Sequence, residues 1–291
     1  MNRRAFLQAS LAAPVAVALT ATGCRTPRPS PPSPLRLSTS SIHFKDLPLE
    51  DACARIAALG FDAIDIWSAY DGCPHLDDVL NRLGPDGLRE LLGRHRLALC
   101  SFSTYVGGYA KYAELLGRAG GGVAIQGSAG PCAPAELTAR MRAFFESLKP
   151  LAELAAQHRS QLAIENHGQS LLDGPDSFRA FVELNPYPQV GIALAPYHLQ
   201  ALGASVPEVI RIAGRQLLFF YAWQNAPETA QLPGLGPTDF APWLAALREI
   251  RYGRFTNPFM HGHLEPARMT PALAQSRDYL RRTWSALTTH S

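Results

Sequence analysis

The chain has 291 residues, 47% of them hydrophobic and 18% charged, so it can bury a large core, and wholesale disorder is excluded. Its 27 basic and 24 acidic residues leave a formal net charge of +3, a balance that predicts no broad electrostatic footprint for nucleic acid. Five cysteines in a chain this long make no disulfide scaffold, and none stands in Cys-x-x-Cys spacing, so a zinc ribbon or thioredoxin-type motif is excluded.

Residues 1–24 read as an address. Arg3 and Arg4 precede an apolar run that ends near Leu19, too short and too rich in small residues for a transmembrane helix. The string NRRAFLQ resembles a twin-arginine export signal, and ATGC resembles a lipoprotein cleavage box with Cys24 as the acylated residue. The expected location is the periplasm or cell envelope, with membrane contact only through a lipid anchor at Cys24. Removing residues 1–23 takes Arg3 and Arg4 away and leaves 27 − 2 = 25 basic and 24 acidic residues, a net charge of +1. Residues 25–34 (RTPRPSPPSP) form a Pro-rich, extended spacer, and residues 35–291 form the folded domain.

From Leu35 onward, short apolar runs alternate with amphipathic stretches. The pattern predicts strands over 35–41, 62–67, 97–102, 122–127, 161–167, 189–194, 216–223 and 253–259. Between them, helices are predicted over 49–60, 87–95, 109–118, 134–158 with a kink or break at Pro150, 175–184, a stretch up to Ala213, and 239–248 capped by Asp239. A final helix covers 270–287. About eight βα units is the number that closes a (β/α)8 TIM barrel. A doubly wound sheet would want a glycine-rich phosphate turn after its first strand, and no G-x-G-x-x-G or Walker motif is there. Barrel chemistry sits at the C-terminal ends of the strands, which directs attention to Glu165, His167, His198, Gln224 and His261.

Four passages in order, LEDACARIAALGFDAIDIW, LAIENHG, VGIALAPYHLQALG and PGLGPTDFAPWLAALREIRYGRF, resemble the sugar phosphate isomerase/epimerase superfamily of xylose isomerase-like TIM barrels. The resemblance runs from Leu35 to about His263. It implies a divalent metal held by Glu on strand five, Asp on strand six, His on strand seven and Glu on strand eight. Here Glu165 matches the first position. The strand-six pattern Asp-x-x-His reads Ala195-Pro196-Tyr197-His198, which keeps the histidine and replaces the aspartate. Strand seven (FFYAWQN) has no His and strand eight (RFTNPFMHGH) has no Glu.

Two readings of the remaining residues follow. In one, Glu165, His198, Gln224 and His261 form a substitute site, a donor set suited to zinc, iron or manganese. In the other, no metal is bound, and Glu165, assisted by His198 and His261, moves a proton at a carbon next to a carbonyl. Strand alternation places Ala163, Glu165 and His167 on one face, so a carboxylate at the mouth needs a partner or a raised pKa, and His167 is the nearest candidate. His261 and His263 share parity past Pro258. Asp65, Trp67, His167, Trp223 and Gln224 are candidate contacts for a sugar, with Tyr70, Tyr105 and Tyr197 as further rings near the strand ends. For Asp65 the alternative is a salt bridge to an adjacent strand.

The function expected from these residues is an exported isomerase, epimerase or lyase acting on a carbohydrate or keto-sugar, with no nucleic-acid partner. The second reading is a sugar-binding barrel that has lost catalysis. An abasic-site endonuclease shares the broad fold but is identified with a His- and Asp-rich trinuclear zinc site, which this chain lacks.

Overall fold

The computed structural model describes residues 34–287. The paired arginines, Cys24 and all of the Pro-rich spacer but Pro34 lie outside the described residues. Eight parallel strands close in sequence order into one barrel: β1 Arg36–Ser40, β2 Ala63–Trp67, β3 Ala98–Ser103, β4 Val123–Gly127, β5 Gln161–Glu165, β6 Val190–Leu194, β7 Leu217–Ala222 and β8 Phe255–Pro258. Closure is made by β1 on β8, with Arg36 opposite Phe255 and Leu37 opposite Thr256. Closing the sheet leaves no edge strand to template pairing with another chain.

The helices are α1 Leu49–Ala58, α2 His75–Asp78, α3 Gly84–His95, α4 Gly108–Arg118, α5 Leu137–Gln157, α6 Pro175–Leu184, α7 Pro196–Ala201, α8 Val206–Ala213, α9 Ala241–Glu249 and α10 Pro266–Ala286. Their apolar stripes meet the outward faces of the strands. Leu37, Ile64, Ile66, Phe102, Ala124, Leu162, Ile164, Ile192, Leu194 and Phe220 belong to this outer core, together with Ile56, Leu91, Phe145, Phe181, Ile210 and Leu247 from the helices. Burying one Leu or Ile there contributes roughly 1.5–3 kcal/mol, so this layer carries most of the stability. The inward faces form a separate cluster: Ala63, Trp67, Val123, Ile125, Ala163, Ala193, Phe219, Tyr221, Trp223 and Phe259. The two lists interleave along each strand with a period of two, the alternation that a barrel wall requires.

Two expected elements differ. Pro150 does not end its helix, because α5 continues through it. Buried apolar residues anchor the helix on both sides of Pro150, Met141, Phe145 and Leu148 before it and Ala152 and Ala155 after it. The stretch after β6 is two helices, α7 and α8. Ser205 begins the second by accepting a hydrogen bond from the Glu208 backbone N–H. Asp239 does meet the start of α9, where its carboxylate accepts from Ala241 N at 2.9 Å.

The ends of six helices share one device. In α1, α3, α4, α5, α7 and α9 the chain turns out of the helix through a left-handed residue, and the next N–H returns to a carbonyl of the last turn: Phe61 to Ile56, Leu97 to Leu92, Gly121 to Leu116, Ser160 to Ala155, Ala204 to Leu199 and Tyr252 to Leu247. The left-handed residue is Gly60, Gly120 or Gly203 in α1, α4 and α7, but Arg96 (φ 54°), Arg159 (φ 52°) and Arg251 (φ 55°) in the other three. Among the described residues, no helix is long and apolar enough to cross a membrane.

Candidate active site

The floor of the mouth is a buried carboxylate. Asp65, on β2, points inward and is fully buried. Its Oδ1 accepts from Ser101 Oγ at 2.8 Å and Ser103 Oγ at 3.0 Å, and its Oδ2 accepts from Ser40 Oγ at 2.8 Å and the Trp67 indole N–H at 2.5 Å. Burial pushes its pKa up to about 6, while the Ser101, Ser40, Ser103 and Trp67 donors hold it down. Asn257, on β8, extends the network by donating to Ser40 Oγ at 2.8 Å. Asp65 therefore forms no salt bridge among the described residues, and the sugar contact expected of it would have to displace donors it already holds. Its oxygens are spent on hydroxyls and an indole beneath the ring layer, and its role is to fix Trp67.

Glu165 ends β5 above this floor, half-buried and facing the mouth. Desolvation raises its pKa to about 7, the adjacent Tyr105 hydroxyl pulls it down, and the Asp65 charge adds to the rise. Tyr105 is held in turn by Tyr221, hydroxyl to hydroxyl at 3.0 Å. The expected partner His167 is elsewhere: its Nδ1 lies 2.8 Å from Gly168 O, and its exposed ring packs on His198 with centroids 4.0 Å apart. Asn166, between them in sequence, points outward and laces β5 to the end of β6. It accepts from Ala195 N at 2.7 Å and donates to Ala195 O at 3.1 Å. Sequence reasoning passed over Asn166 because its parity is that of the packed face.

His198 lies in α7, directly above β6, and is buried. Burial lowers its pKa to about 3, with His167 and His261 pushing the same way, so the ring is neutral at physiological pH. Its Nε2 is buried without a hydrogen-bond partner. A buried polar atom left unpaired costs about 1–3 kcal/mol, which an incoming hydroxyl or carbonyl can recover.

The rest of the mouth is aromatic. Trp67 stacks on Phe259 at 5.3 Å, Tyr197 stacks on Trp223 at 4.4 Å, and the exposed His261 ring stands edge-on to Trp223 at 4.8 Å. Trp67 and Trp223 are only 2% and 1% exposed, so they back the layer, while Tyr70, Tyr105, Tyr197 and His261 form its accessible side. One residue not singled out in the sequence, Gln231, fixes this wall. Its Oε1 accepts from the Trp223 indole at 2.8 Å and from His261 N at 3.0 Å, and its Nε2 donates to His261 O at 3.0 Å. Gln231 sits eight residues beyond Trp223, at the end of a single 3-10 turn (Glu228–Gln231) too short for any periodicity to mark it. His263 turns to the rim and pairs with Asp46 at 2.6 Å.

Gln224 is not in the mouth. Its Nε2 donates to Leu232 O at 3.0 Å and its Oε1 accepts from Thr238 N at 2.8 Å, so both ends of the amide hold the β7–α9 connection. Gly236 passes so close that a Cβ there would lie 2.7 Å from the Gln224 amide. The substitute donor set of Glu165, His198, Gln224 and His261 is therefore incomplete. Among the described residues, no three of His, Cys, Asp and Glu come together as a metal-binding group. The residue just past β6, where the resemblance implies an aspartate, is Ala195, and neither β7 nor β8 carries a His, Cys, Asp or Glu. These residues do not fit a divalent metal.

Comparison with known proteins agrees with the barrel. The model of the xylose isomerase-like TIM barrel family matches residues 53–283. No curated protein sequence matches the chain. Among solved structures, D-psicose 3-epimerase from Clostridium cellulolyticum H10, crystallised with D-tagatose, is 14% identical, with 86% of this chain and 99% of that one covered at a TM-score of 0.68. The 3-keto-D-glucoside 4-epimerase of E. coli is also 14% identical, covering 84% and 99% at 0.65. The IolI protein, solved with a bound zinc atom, is 16% identical, covering 87% and 99% at 0.66. At these identities the likeness is one of fold. The closed eight-stranded barrel and the family match over most of its length place this chain in the xylose isomerase-like TIM barrel family.

Proposed function

We propose that this protein is an exported isomerase or epimerase of carbohydrates or keto-sugars, in which Glu165 transfers a proton at a carbon next to a carbonyl. The observation that carries the reading is a single mouth-facing carboxyl raised to about 7, beside a neutral buried imidazole with an unpaired nitrogen. Near neutral pH such a carboxyl is populated both as base and as acid, the condition for taking a proton and returning it. The carbon-bound proton passes to the Glu165 carboxylate, leaving an enediolate; the protonated carboxyl returns it to the neighbouring carbon as the hydroxyl proton shifts between the two enediolate oxygens, or to the opposite face of the same carbon once the planar intermediate has turned. His198 Nε2 hydrogen-bonds the carbonyl oxygen or an adjacent hydroxyl. A neutral imidazole with depressed basicity can donate to developing negative charge without surrendering its proton. Tyr105 holds the Glu165 carboxyl, and the ring layer receives the apolar face of a sugar and excludes water. No step runs through a metal. The neighbours that act on sugars support this substrate class, and the twin-arginine and lipobox strings support the location.

The test is a screen of keto-sugars and aldoses in deuterated water, comparing wild type with Glu165→Gln. Deuterium entering product in wild type and not in the variant is expected. Sugar binding by both proteins with no exchange in either would replace this reading with a binding barrel.

A further inference from the structure

The net charge conceals a segregation between the two ends of the barrel. In the connections that lead from strands into helices, at the mouth, the acids are Asp46, Asp71, Glu136, Asp173, Glu228, Asp239 and Glu265, against Lys45. In the connections that lead from helices into strands, at the base, the arginines are Arg96, Arg159, Arg215, Arg251 and Arg254, joined by Arg36 at the start of β1, against Asp62. Arg36 and Arg254 are partly committed, to Gly253 O and to Gln161 Oε1. Arg96, Arg159, Arg215 and Arg251 are exposed and have no partner among the described residues.

Helix ends attract cations through the macrodipole, which explains a basic tendency here but not the form it takes. Arg96, Arg159 and Arg251 each occupy the left-handed position that Gly60 and Gly120 fill in the same turn elsewhere in this barrel. A side chain there costs about 1 kcal/mol relative to glycine. Three of the six such turns carry that cost and place a free guanidinium on one face. Between Arg215 and Arg254 a cleft of about 370 Å³, walled by Tyr187 and Asn185, opens on the same face. The chain enters β1 at this end, and Arg36 follows Cys24 by twelve residues in sequence.

We infer that the base of the barrel is a docking face for an anionic phospholipid surface, laid on the membrane by free guanidinium groups so that the mouth points away from it. Membrane contact is then not confined to Cys24. The choice of a membrane as partner rests on the export and anchor reading, while the basic face does not depend on it.

The test uses the mature chain, residues 24–291, carrying Cys24→Ser, which cannot be acylated and lacks the apolar leader, with vesicles of phosphatidylcholine alone or of equimolar phosphatidylglycerol and phosphatidylcholine. Sedimentation with the anionic vesicles alone is expected, reversed by added salt. The variant Arg96→Asn/Arg159→Asn/Arg251→Asn/Arg215→Gln should bind about 600-fold more weakly, at roughly fivefold for each of the four lost arginines. Asparagine tolerates the left-handed conformation, so this variant keeps its fold, checked by its Tm. Lysine at the same four positions should retain binding. Equal binding of the neutralised variant, no binding by wild type, or tighter binding to duplex DNA than to the anionic vesicles would each overturn the inference. The mass of the mature N-terminus tests the anchor separately, so failure of the anchor leaves the vesicle result readable.

Discussion

The two ends of this barrel use polar residues in opposite ways. At the mouth, Asp65 and Glu165 are withdrawn from water, and burial sets their chemistry. At the base, arginines stand in water on turns where glycine would be less strained, and exposure is their use. The difference teaches that a charge on this fold acquires meaning from which end of a strand it occupies. Near neutrality overall, the chain places buried carboxyl groups at one end and exposed guanidinium groups at the other.

The largest expected effect that sharpens this contrast comes from Glu165→Gln. Activity should fall by roughly 10²-fold or more while the fold persists, measured by isomer formation and circular dichroism. The pH dependence follows the same group. With Glu165 raised to about 7, kcat/KM should climb through about pH 7 as the base forms, with no second ionisation from His198, which is already neutral. Stability should run the other way. The folded pKa lies above the ordinary 4.5, so the folded state holds an extra proton between about 4.5 and 7, and stability falls as pH rises through that interval. Glu165→Gln should remove that fall, gaining roughly 1–2 kcal/mol at pH 8 after solvent screening at the open mouth, read by urea unfolding at pH 5 and pH 8.

A smaller effect is expected at the ring wall. Gln231→Leu unpairs the Trp223 indole and His261 N together, and should cost about 1–3 kcal/mol of stability with a raised KM. Exhaustive chelation should leave activity within about twofold in protein free of metal by elemental analysis, since the donor set does not converge. The smallest effect on catalysis belongs to the base: neutralising Arg96, Arg159, Arg215 and Arg251 should leave kcat and KM within about twofold, because the strands separate them from the mouth. A large loss there would break the division between the two ends.

The barrel was legible because its signal repeats: eight apolar runs with a period of two, separated by helical stripes. Glu165 was legible from parity at the end of a strand. Gln224 was misplaced because a residue just past a strand end can turn into its own loop, and only the positions of Leu232 and Thr238 decide that. Asp65 had the right parity and the wrong depth, since parity gives the face and not the layer. The Ser40, Ser101 and Ser103 cage comes from two strands distant in sequence, so no local pattern announces it. The base was hidden differently. Its arginines are scattered singly through the chain, and summing charge over the whole sequence cancels them against acids at the opposite end.

The stacked Trp67–Phe259 and Trp223–Tyr197 pairs have an optical consequence. Of the four tryptophans, Trp243 and Trp284 sit on the helices outside, in α9 and α10, while these two line the mouth. A rigid indole held face to face with another ring couples their transitions and gives a near-ultraviolet circular dichroism band that depends on ring geometry. A sugar seated against Tyr197 changes that geometry without touching the outer pair, so the protein carries its own spectroscopic gauge of an occupied mouth, readable before any substrate is known.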